Sequence, residues 1–375
     1  MRAAVNSPRT TYEPSLDGLR AVAVALVFAF HCKVPGFSGG FFGVDVFFVL
    51  SGFLITYLLL KERDLGPVNI PNFYVRRVLR IWPLYFLIVL IGFFVAPSLG
   101  VLAVPHHQVD VMAQFPGNFL LFVTMLANVA FAFMITVPFA NVLWSVAVEE
   151  QFYLFWPHLV GKARNILRAL LMALGAFMVV KLLTVTFLVN QPDPLASGTY
   201  TLVDRTRFSC MMIGGLAAYA AHARWGRFMR VVFHTGVQWA LWIAMGVMVL
   251  SKGDGIAYRF LGHEATAVLT ALLLLNLAFN KHTLLRLDGP LMDRLGKVSY
   301  GIYVYHLFMV VLCIKGFRPL YDAFPEQALL LDAALLLGTL LVTVVISWIS
   351  YHFFELWFLR KKKAFSAIIS GDQVR

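Results

Sequence analysis

The sequence predicts an all-α, polytopic membrane helical bundle with about ten transmembrane helices. Of the 375 residues, 60% are hydrophobic and 13% are charged, and the mean hydropathy is +0.78. A soluble domain has too little interior to bury so much apolar surface. Apolar runs long enough for a membrane-spanning helix recur along the whole chain, and short basic segments separate many of them.

The apolar runs give eleven candidates for a membrane-spanning helix. They are 18–35, 43–61, 80–97, 116–136, 143–160, 166–189, 208–221, 231–250, 264–279, 298–315 and 328–350. By the positive-inside rule, the basic segments are expected in the cytoplasm, together with the N-terminus. These basic segments are 61–80, 161–168, 222–230, 280–297 and 360–363.

Two cytoplasmic termini require an even number of crossings, so one candidate does not cross. The basic segments 61–80 and 161–168 allow two crossings between them, whereas three candidates lie there. The segment 116–136 contains Asn118 and Asn128, so we expect it to pack against the bundle or to enter it without crossing. Residues 98–142 are then expected to cap the outer side of a cavity, because non-crossing backbone at membrane depth must be buried or wet.

The chain is expected to hold one membrane domain, at 15–357. Residues 1–14 form a cytoplasmic segment without a signal-peptide pattern, and 358–375 form a basic cytoplasmic tail. The net charge of +12 reflects membrane topology rather than nucleic-acid binding, because the basic residues cluster between apolar runs. The three cysteines lie in or at the ends of apolar runs, which argues against a disulfide framework and against a metal site.

Polar side chains in the first two helices are candidates for a functional site. Arg20 and His31 are eleven residues apart, so they share one helix face at a separation of about 16 Å. The alternative is an arginine that snorkels to the interface and a histidine bonded to a carbonyl group. Asp45 begins the second helix and is expected to pair with His31 across a short outer hairpin, which orients the imidazole.

Further candidates lie on four other helices. Glu149 is one turn after Ser145, and an acid within the membrane usually has a functional role. Arg76 and Arg80 are also one turn apart, and they serve either as phosphate ligands or as positive-inside anchors. Arg207 is either a ligand contact or an interfacial anchor. A further polar face is formed by Ser299, Tyr303 and His306.

Five stretches of sequence that contain most of these candidate residues together resemble the acyltransferase-3 family of integral membrane O-acyltransferases, over about residues 15–355. The stretches are LDGLRAVAVALVFAFH, GFFGVDVFFVLSGFLIT, RRVLRIWPLY, WSVAVEEQFYLFWP and LGKVSYGIYVYH. The first contains the family's arginine, ten residues and histidine. One departure is that Glu355 is followed by Leu356 and Trp357, where the family usually has a proline two residues after the glutamate.

The resemblance implies transfer of an acyl group, often acetyl, from acyl-CoA to a hydroxyl of a saccharide or glycolipid, as in surface polysaccharide modification. Arg76 and Arg80 would hold coenzyme A at the cytoplasmic mouth, and Arg20 would hold its arm or an oxyanion. His31 would deprotonate the acceptor or carry the acyl group, and Asp45 or Glu149 would orient it or balance its charge.

The remaining candidates are expected to bind substrate or acyl donor; they are Ser145, Arg207, Ser299, Tyr303 and His306. No metal is implied. The family also implies a bacterial inner membrane, and the positive-inside rule predicts that both termini are cytoplasmic. The main alternative function is a proton-coupled transporter or flippase of a saccharide-like substrate, because buried acids and histidines suit that role too. A polysaccharide polymerase or export partner without chemistry of its own is a third hypothesis.

Overall fold

The computed structural model describes residues 13–99, 114–134, 137, 139–251, 253 and 255–366. All regular secondary structure in these residues is helical, which confirms the predicted all-α membrane bundle. The predictions for 1–12, for the part of the outer cap at 100–113 and for the end of the tail at 367–375 lie outside the described residues.

The α-helices differ widely in length, and two of the longest end in a π-turn. In chain order they are α1 (Pro14–His31), α2 (Gly43–Leu65), α3 (Ile70–Leu90), α4 (Phe115–Val123), α5 (Ala127–Phe133), α6 (Leu143–Lys162), α7 (Ile166–Leu188), α8 (Pro194–Thr206), α9 (Phe208–His222), α10 (Gly226–Val232), α11 (Thr235–Leu250), α12 (Ile256–Phe279), α13 (Pro290–Lys297), α14 (Ser299–Ala323), α15 (Ala328–Ser350) and α16 (Leu356–Lys361). The π-turns are Ile91–Val95 and Tyr351–Glu355.

The long helices coincide with the predicted crossings. In the described residues, seven helical segments, which contain α1, α2, α3, α7, α12, α14 and α15, are long and apolar enough to cross a membrane. The pair α10 and α11 is bent by 63° and gives an eighth. The two other predicted crossings correspond to α6, which carries two acids in its interior, and to α9, which has 15 residues. The chain is therefore a multi-pass membrane protein, and a total of ten crossings stays a prediction.

The described part of the predicted segment 116–136 contains two short helices, α4 and α5, with 9 and 7 residues. At 1.5 Å per residue each is shorter than about 15 Å, half the thickness of the bilayer core. The buried Asn128 of α5 exchanges two hydrogen bonds with Gln151 of α6, at 3.2 and 2.7 Å. These features agree with the expectation that this segment packs against the bundle without crossing.

The centre of the bundle is a close contact between α2 and α9. A Cβ atom on Gly52 of α2 would lie 1.9 Å from the Met211 carbonyl oxygen, and one on Gly214 of α9 would lie 2.2 Å from that of Val49. Only glycine permits this approach, as in other tightly packed membrane helices. The contact fixes which face of α2 meets α9, and α6 packs against α2 on another side.

The chain returns to the bundle after its last long helix. Within 358–366, α16 and the turn Lys362–Phe365 pack on α3, and Arg76 donates a hydrogen bond to the Phe365 carbonyl oxygen at 2.8 Å. Lys362 is 3% exposed. This part of the predicted tail is therefore an ordered, partly buried piece of the membrane domain.

Candidate functional site

An internal cavity of about 150 Å³ lies between α1, α2, α3, α6 and α14. Its lining includes six of the residues that the sequence singles out. They are Arg20, Arg80, Ser145, Glu149, Ser299 and Tyr303. Helix periodicity therefore identifies much of this cavity, because each of these residues lies on the interior face of its helix.

One end of the cavity is basic. Its lining there includes Arg20, Arg77, Arg80 and Lys362, on helices joined by the predicted cytoplasmic segments. Arg20 forms an ion pair with Asp17, one turn before it. The Arg77 guanidinium lies over the rings of Phe73 and Tyr153, at 5.5 and 5.7 Å, and in the described residues its buried Nε atom has no hydrogen-bond partner. This end suits a polyanionic ligand.

Arg76 does not line the cavity, so the prediction that it binds the ligand there is corrected. Its guanidinium lies 2.6 Å from Glu62 Oε1 and bonds the Phe365 carbonyl, and the residue is 6% exposed. A buried carboxylate attracts the nearest cation, so Glu62 holds Arg76 away from the cavity. Arg77, the next residue in the sequence, lies in the cavity wall instead.

The acidic wall of the cavity is Glu149. Its Oε1 atom accepts a hydrogen bond from Ser51 at 2.8 Å, and its Oε2 atom accepts one from Tyr153 at 3.0 Å. Glu150 turns the other way and accepts a hydrogen bond from the Trp82 indole at 3.0 Å. Ser51 and Tyr153 are further site residues that the sequence prediction did not include.

A pair of hydroxyl groups lies at the end of the cavity opposite the basic residues. Ser145 Oγ lies 2.7 Å from the Tyr303 hydroxyl, and each lies 3.2 Å from the Val142 carbonyl oxygen. Each hydroxyl has a single hydrogen and the carbonyl only accepts, so one hydroxyl donates to the carbonyl and the other donates to its hydroxyl partner. Ser299, nearer the basic end of α14, donates to the Gly296 carbonyl at 2.7 Å.

Two histidines meet next to this hydroxyl pair. His31 is exposed, and its Nδ1 atom lies 2.9 Å from the Val27 carbonyl oxygen and 3.3 Å from His306 Nε2. His306 is 1% exposed, and its Nδ1 atom lies 2.6 Å from the Tyr303 carbonyl oxygen. Neither histidine is among the described residues that line the cavity. Tyr303 therefore links the cavity to the histidine pair, because its side chain lines the cavity and its backbone carbonyl contacts His306.

Asp45 does not pair with His31, so that prediction is wrong. Its carboxylate is fully buried, with Arg207 NH1 at 2.7 Å and His263 Nδ1 at 2.7 Å. Asp45 lies seven residues before Gly52, so both lie on the face of α2 that meets α9. Arg207 directly precedes α9, the helix that packs on this face, and forms the ion pair with Asp45. It is not among the described residues that line the cavity. His263 was not predicted as a site residue. The seven-residue spacing from Asp45 to Gly52 does indicate that Asp45 lies on the face of α2 that meets α9.

One acid at the basic end lies outside the membrane-spanning helices. Glu13 directly precedes α1 and lines the cavity, and partial burial raises the pKa of its carboxyl above the ordinary value.

In the described residues, no group of three or more His, Cys, Asp or Glu side chains is placed to hold a metal ion.

Comparison with known proteins identifies the family. The family model described as an acyltransferase domain matches residues 13–352. A peptidoglycan O-acetyltransferase, OatA of Listeria monocytogenes, is 37% identical over 151 residues, which are 39% of this chain and 24% of that protein. An O-acetyltransferase, OatA of Staphylococcus aureus, is 27% identical over 390 residues, which cover 96% of this chain and 59% of that protein.

The chain thus spans between about a quarter and three fifths of the length of these relatives. No solved structure matches the chain. The family model covers nearly the whole of the described bundle, including the hydroxyl pair, both histidines and the cavity lining apart from Lys362. The chain therefore belongs to the acyltransferase-3 family of membrane acyltransferases.

Proposed function

We propose that the protein transfers an acetyl group from acetyl-CoA to a hydroxyl of a saccharide or glycolipid acceptor, in the modification of a surface polysaccharide. The observation that carries the proposal is the polarity of the cavity, which is basic at one end and ends at Tyr303, next to the exposed His31. The relatives, named as O-acetyltransferases, support the acetyl group, and the name of one supports a saccharide acceptor.

The donor would bind from the basic end. Coenzyme A carries several phosphate charges, and arginine forks suit phosphate oxygens. Arg20, Arg77, Arg80 and Lys362 supply positive charge there. A cavity of about 150 Å³ is small beside the roughly 300–1,000 Å³ of a pocket that encloses a whole drug-sized ligand. The nucleotide would therefore stay at the mouth, and only the thin pantetheine arm and the acetyl thioester would enter.

The chemistry would take place at the opposite end. His31 accepts the proton of the acceptor hydroxyl as the oxygen attacks the thioester carbonyl, and the thiolate leaves with a proton from the imidazolium. One hydroxyl of the Ser145 and Tyr303 pair would turn from its present acceptor and donate to the developing oxyanion. Tyr303 and His306 lie between the cavity and His31. To reach His31, the acyl group would therefore have to pass these two side chains of α14, which would have to move aside. An acetyl-His31 intermediate is the alternative route to the same product.

The proposed orientation places both termini in the cytoplasm of a bacterial plasma membrane. The basic segments then share the side of the donor, and the His31 end of α1 faces outward. A cytoplasmic donor and an external acceptor would in this way meet within one protein.

Inverted membrane vesicles with radiolabelled acetyl-CoA test the function directly. We expect label to enter saccharide or lipid-linked material with the wild-type protein, and the His31→Ala variant to lose transfer. The matched control is His352→Ala, because exposed His352 makes the same contact as His31, with Nδ1 2.9 Å from the carbonyl four residues before it. The control should retain transfer.

The outcomes separate the rival functions. Label held on wild-type protein and absent from His31→Ala would indicate the acetyl-histidine route. Saccharide movement across the membrane without acetyl-CoA, and no transfer of label, would support the proton-coupled transporter or flippase. Full transfer by a folded His31→Ala protein would remove His31 from the reaction.

A further inference from the structure

We propose that His306 is a positioning residue for His31: it fixes the proton of His31 on Nδ1, so that Nε2 is the basic atom. This inference rests on the proposed function, in which His31 acts as the base. From the sequence, Asp45 or Glu149 is expected to orient His31, but in the structure Asp45 bonds Arg207 and His263, Glu149 bonds Ser51 and Tyr153, and a second imidazole lies beside His31.

The protonation of His306 follows from its own contacts. Its Nδ1 atom lies 2.6 Å from the Tyr303 carbonyl oxygen, which only accepts hydrogen bonds. Nδ1 therefore carries a hydrogen. At 1% exposure a charged imidazole would be desolvated without a carboxylate beside it, so His306 is neutral and its Nε2 atom presents a lone pair.

The protonation of His31 follows in turn. Its Nδ1 atom faces two acceptors, the Val27 carbonyl oxygen at 2.9 Å and His306 Nε2 at 3.3 Å. A lone pair on Nδ1 would point at two other lone pairs, whereas an N–H there donates to both. The neutral ring then carries its lone pair on Nε2, which these contacts leave uninvolved.

This arrangement serves a base in two ways. A fixed tautomer keeps the basic atom in one place, which is the role a carboxylate usually performs for a catalytic histidine. When Nε2 takes the proton of the acceptor hydroxyl, the Nδ1–H bond to Val27 and His306 strengthens because the donor is now charged. The proton then passes from Nε2 to the leaving thiolate, and Nδ1 keeps its own proton throughout.

The position of His306 also joins the base to the donor cavity. Tyr303 supplies the carbonyl that fixes His306, and its hydroxyl lines the cavity beside Ser145. A shift of this part of α14 on donor binding would therefore move His306 and the Tyr303 hydroxyl together.

Variants at 306 that differ in where they place an acceptor test the proposal. A glutamine amide oxygen can take the place of Nε2 and accept from His31, whereas the shorter asparagine can replace only the Nδ1 contact. We expect His306→Gln to keep kcat within about threefold, and His306→Asn and His306→Phe to lower kcat by roughly tenfold or more, as for a lost hydrogen bond in the transition state. The KM for acetyl-CoA should not change, because His306 does not line the donor cavity.

A spectroscopic measurement on the wild-type protein provides a second readout. The 15N chemical shifts of histidine-labelled protein distinguish a protonated ring nitrogen from an unprotonated one, and comparison with His31→Ala assigns the His31 signals. We expect His31 to be protonated on Nδ1 in the wild type and in His306→Gln, and to show a mixture of tautomers in His306→Phe.

The two proposals fail in different ways. An inactive His31→Ala variant together with a fully active His306→Phe variant would overturn the role of His306 and leave the proposed function in place. His31 protonated on Nε2 in the wild type would do the same. An active His31→Ala variant would overturn the roles of His31 and His306 and leave acetyl transfer itself in place, whereas no transfer by the wild-type protein would overturn the proposed function.

Discussion

Ser51 Oγ lies 2.8 Å from Glu149 Oε1, in a hydrogen bond that joins α2 to α6 at the cavity wall. The other carboxylate oxygen accepts from Tyr153. Two hydroxyl donors therefore hold an acid that lies inside the bundle, and its carboxylate group lines the cavity.

Replacing Glu149 with glutamine tests whether this charge serves the reaction. The amide is nearly isosteric, and both hydroxyls can still bond to it, so we expect the Glu149→Gln protein to fold. Acetyl transfer should fall by at least about tenfold, which corresponds to roughly 1.4 kcal/mol of lost transition-state stabilisation. Initial rates of labelled transfer in vesicles are the measurement. Glu150→Gln is the control, because that residue faces Trp82 outside the cavity lining, and equal rates for both variants would contradict the prediction.

The neighbours Arg76 and Arg77 should respond differently to the same substitution. Arg77→Gln is expected to raise the KM for acetyl-CoA by at least about tenfold with little change in melting temperature, because it removes a charged hydrogen bond to the ligand. Exposed Arg164, on the predicted cytoplasmic segment 161–168, is the control, and Arg164→Gln should leave KM unchanged.

Arg76→Gln is expected to destabilise the protein instead. It leaves the buried Glu62 carboxylate without its cation, which typically costs about 3–5 kcal/mol. Thermal unfolding in detergent checks this, and the double variant with Glu62→Gln should recover part of the loss. A normal melting temperature with a raised KM for Arg76→Gln would restore the original prediction that Arg76 binds the donor.

The pair of Asp45 and Arg207 is expected to stabilise the bundle and not to act in catalysis. Asp45→Asn leaves a fully buried guanidinium unpaired, so the melting temperature should fall, by the equivalent of about 3–5 kcal/mol. Adding Arg207→Gln should recover part of this stability. Protein that remains folded should bind acetyl-CoA with the wild-type KM, and a stable Asp45→Asn protein without activity would contradict this assignment.

Gly52→Ala should prevent the normal packing of α2 against α9. The added methyl group would lie 1.9 Å from the Met211 carbonyl oxygen, which belongs to rigid helix backbone. We expect little folded protein by size-exclusion chromatography in detergent. Gly175→Ala on α7 is the control, because a methyl group there meets nothing within 4 Å and alanine favours helix by up to about 1 kcal/mol. Wild-type behaviour of Gly52→Ala would refute the close contact.

The helices and much of the cavity can be predicted from the spacing of residues along the chain. Apolar runs of membrane length give α1, α2 and α3 because the bilayer forces each backbone polar group to bond within its own helix. The same periodicity placed Ser145 with Glu149 and Ser299 with Tyr303 on interior faces, where the structure has them. These are properties of single helices, so one-dimensional spacing is enough to predict them.

The contacts between polar groups on different helices depend on how the helices pack, so the sequence does not predict them. Asp45 could not be assigned to Arg207 and His263 from spacing, because these residues lie 162 and 218 positions away. The choice between Arg76 and Arg77 depended on a buried carboxylate, Glu62, and on the return of the chain end to α3. In a low-dielectric interior, each charged side chain pairs with the partner that helix packing brings within reach. Helix packing in turn depends on close contacts between two helices, such as Gly52 against Met211, and the sequence of one helix does not contain such a contact.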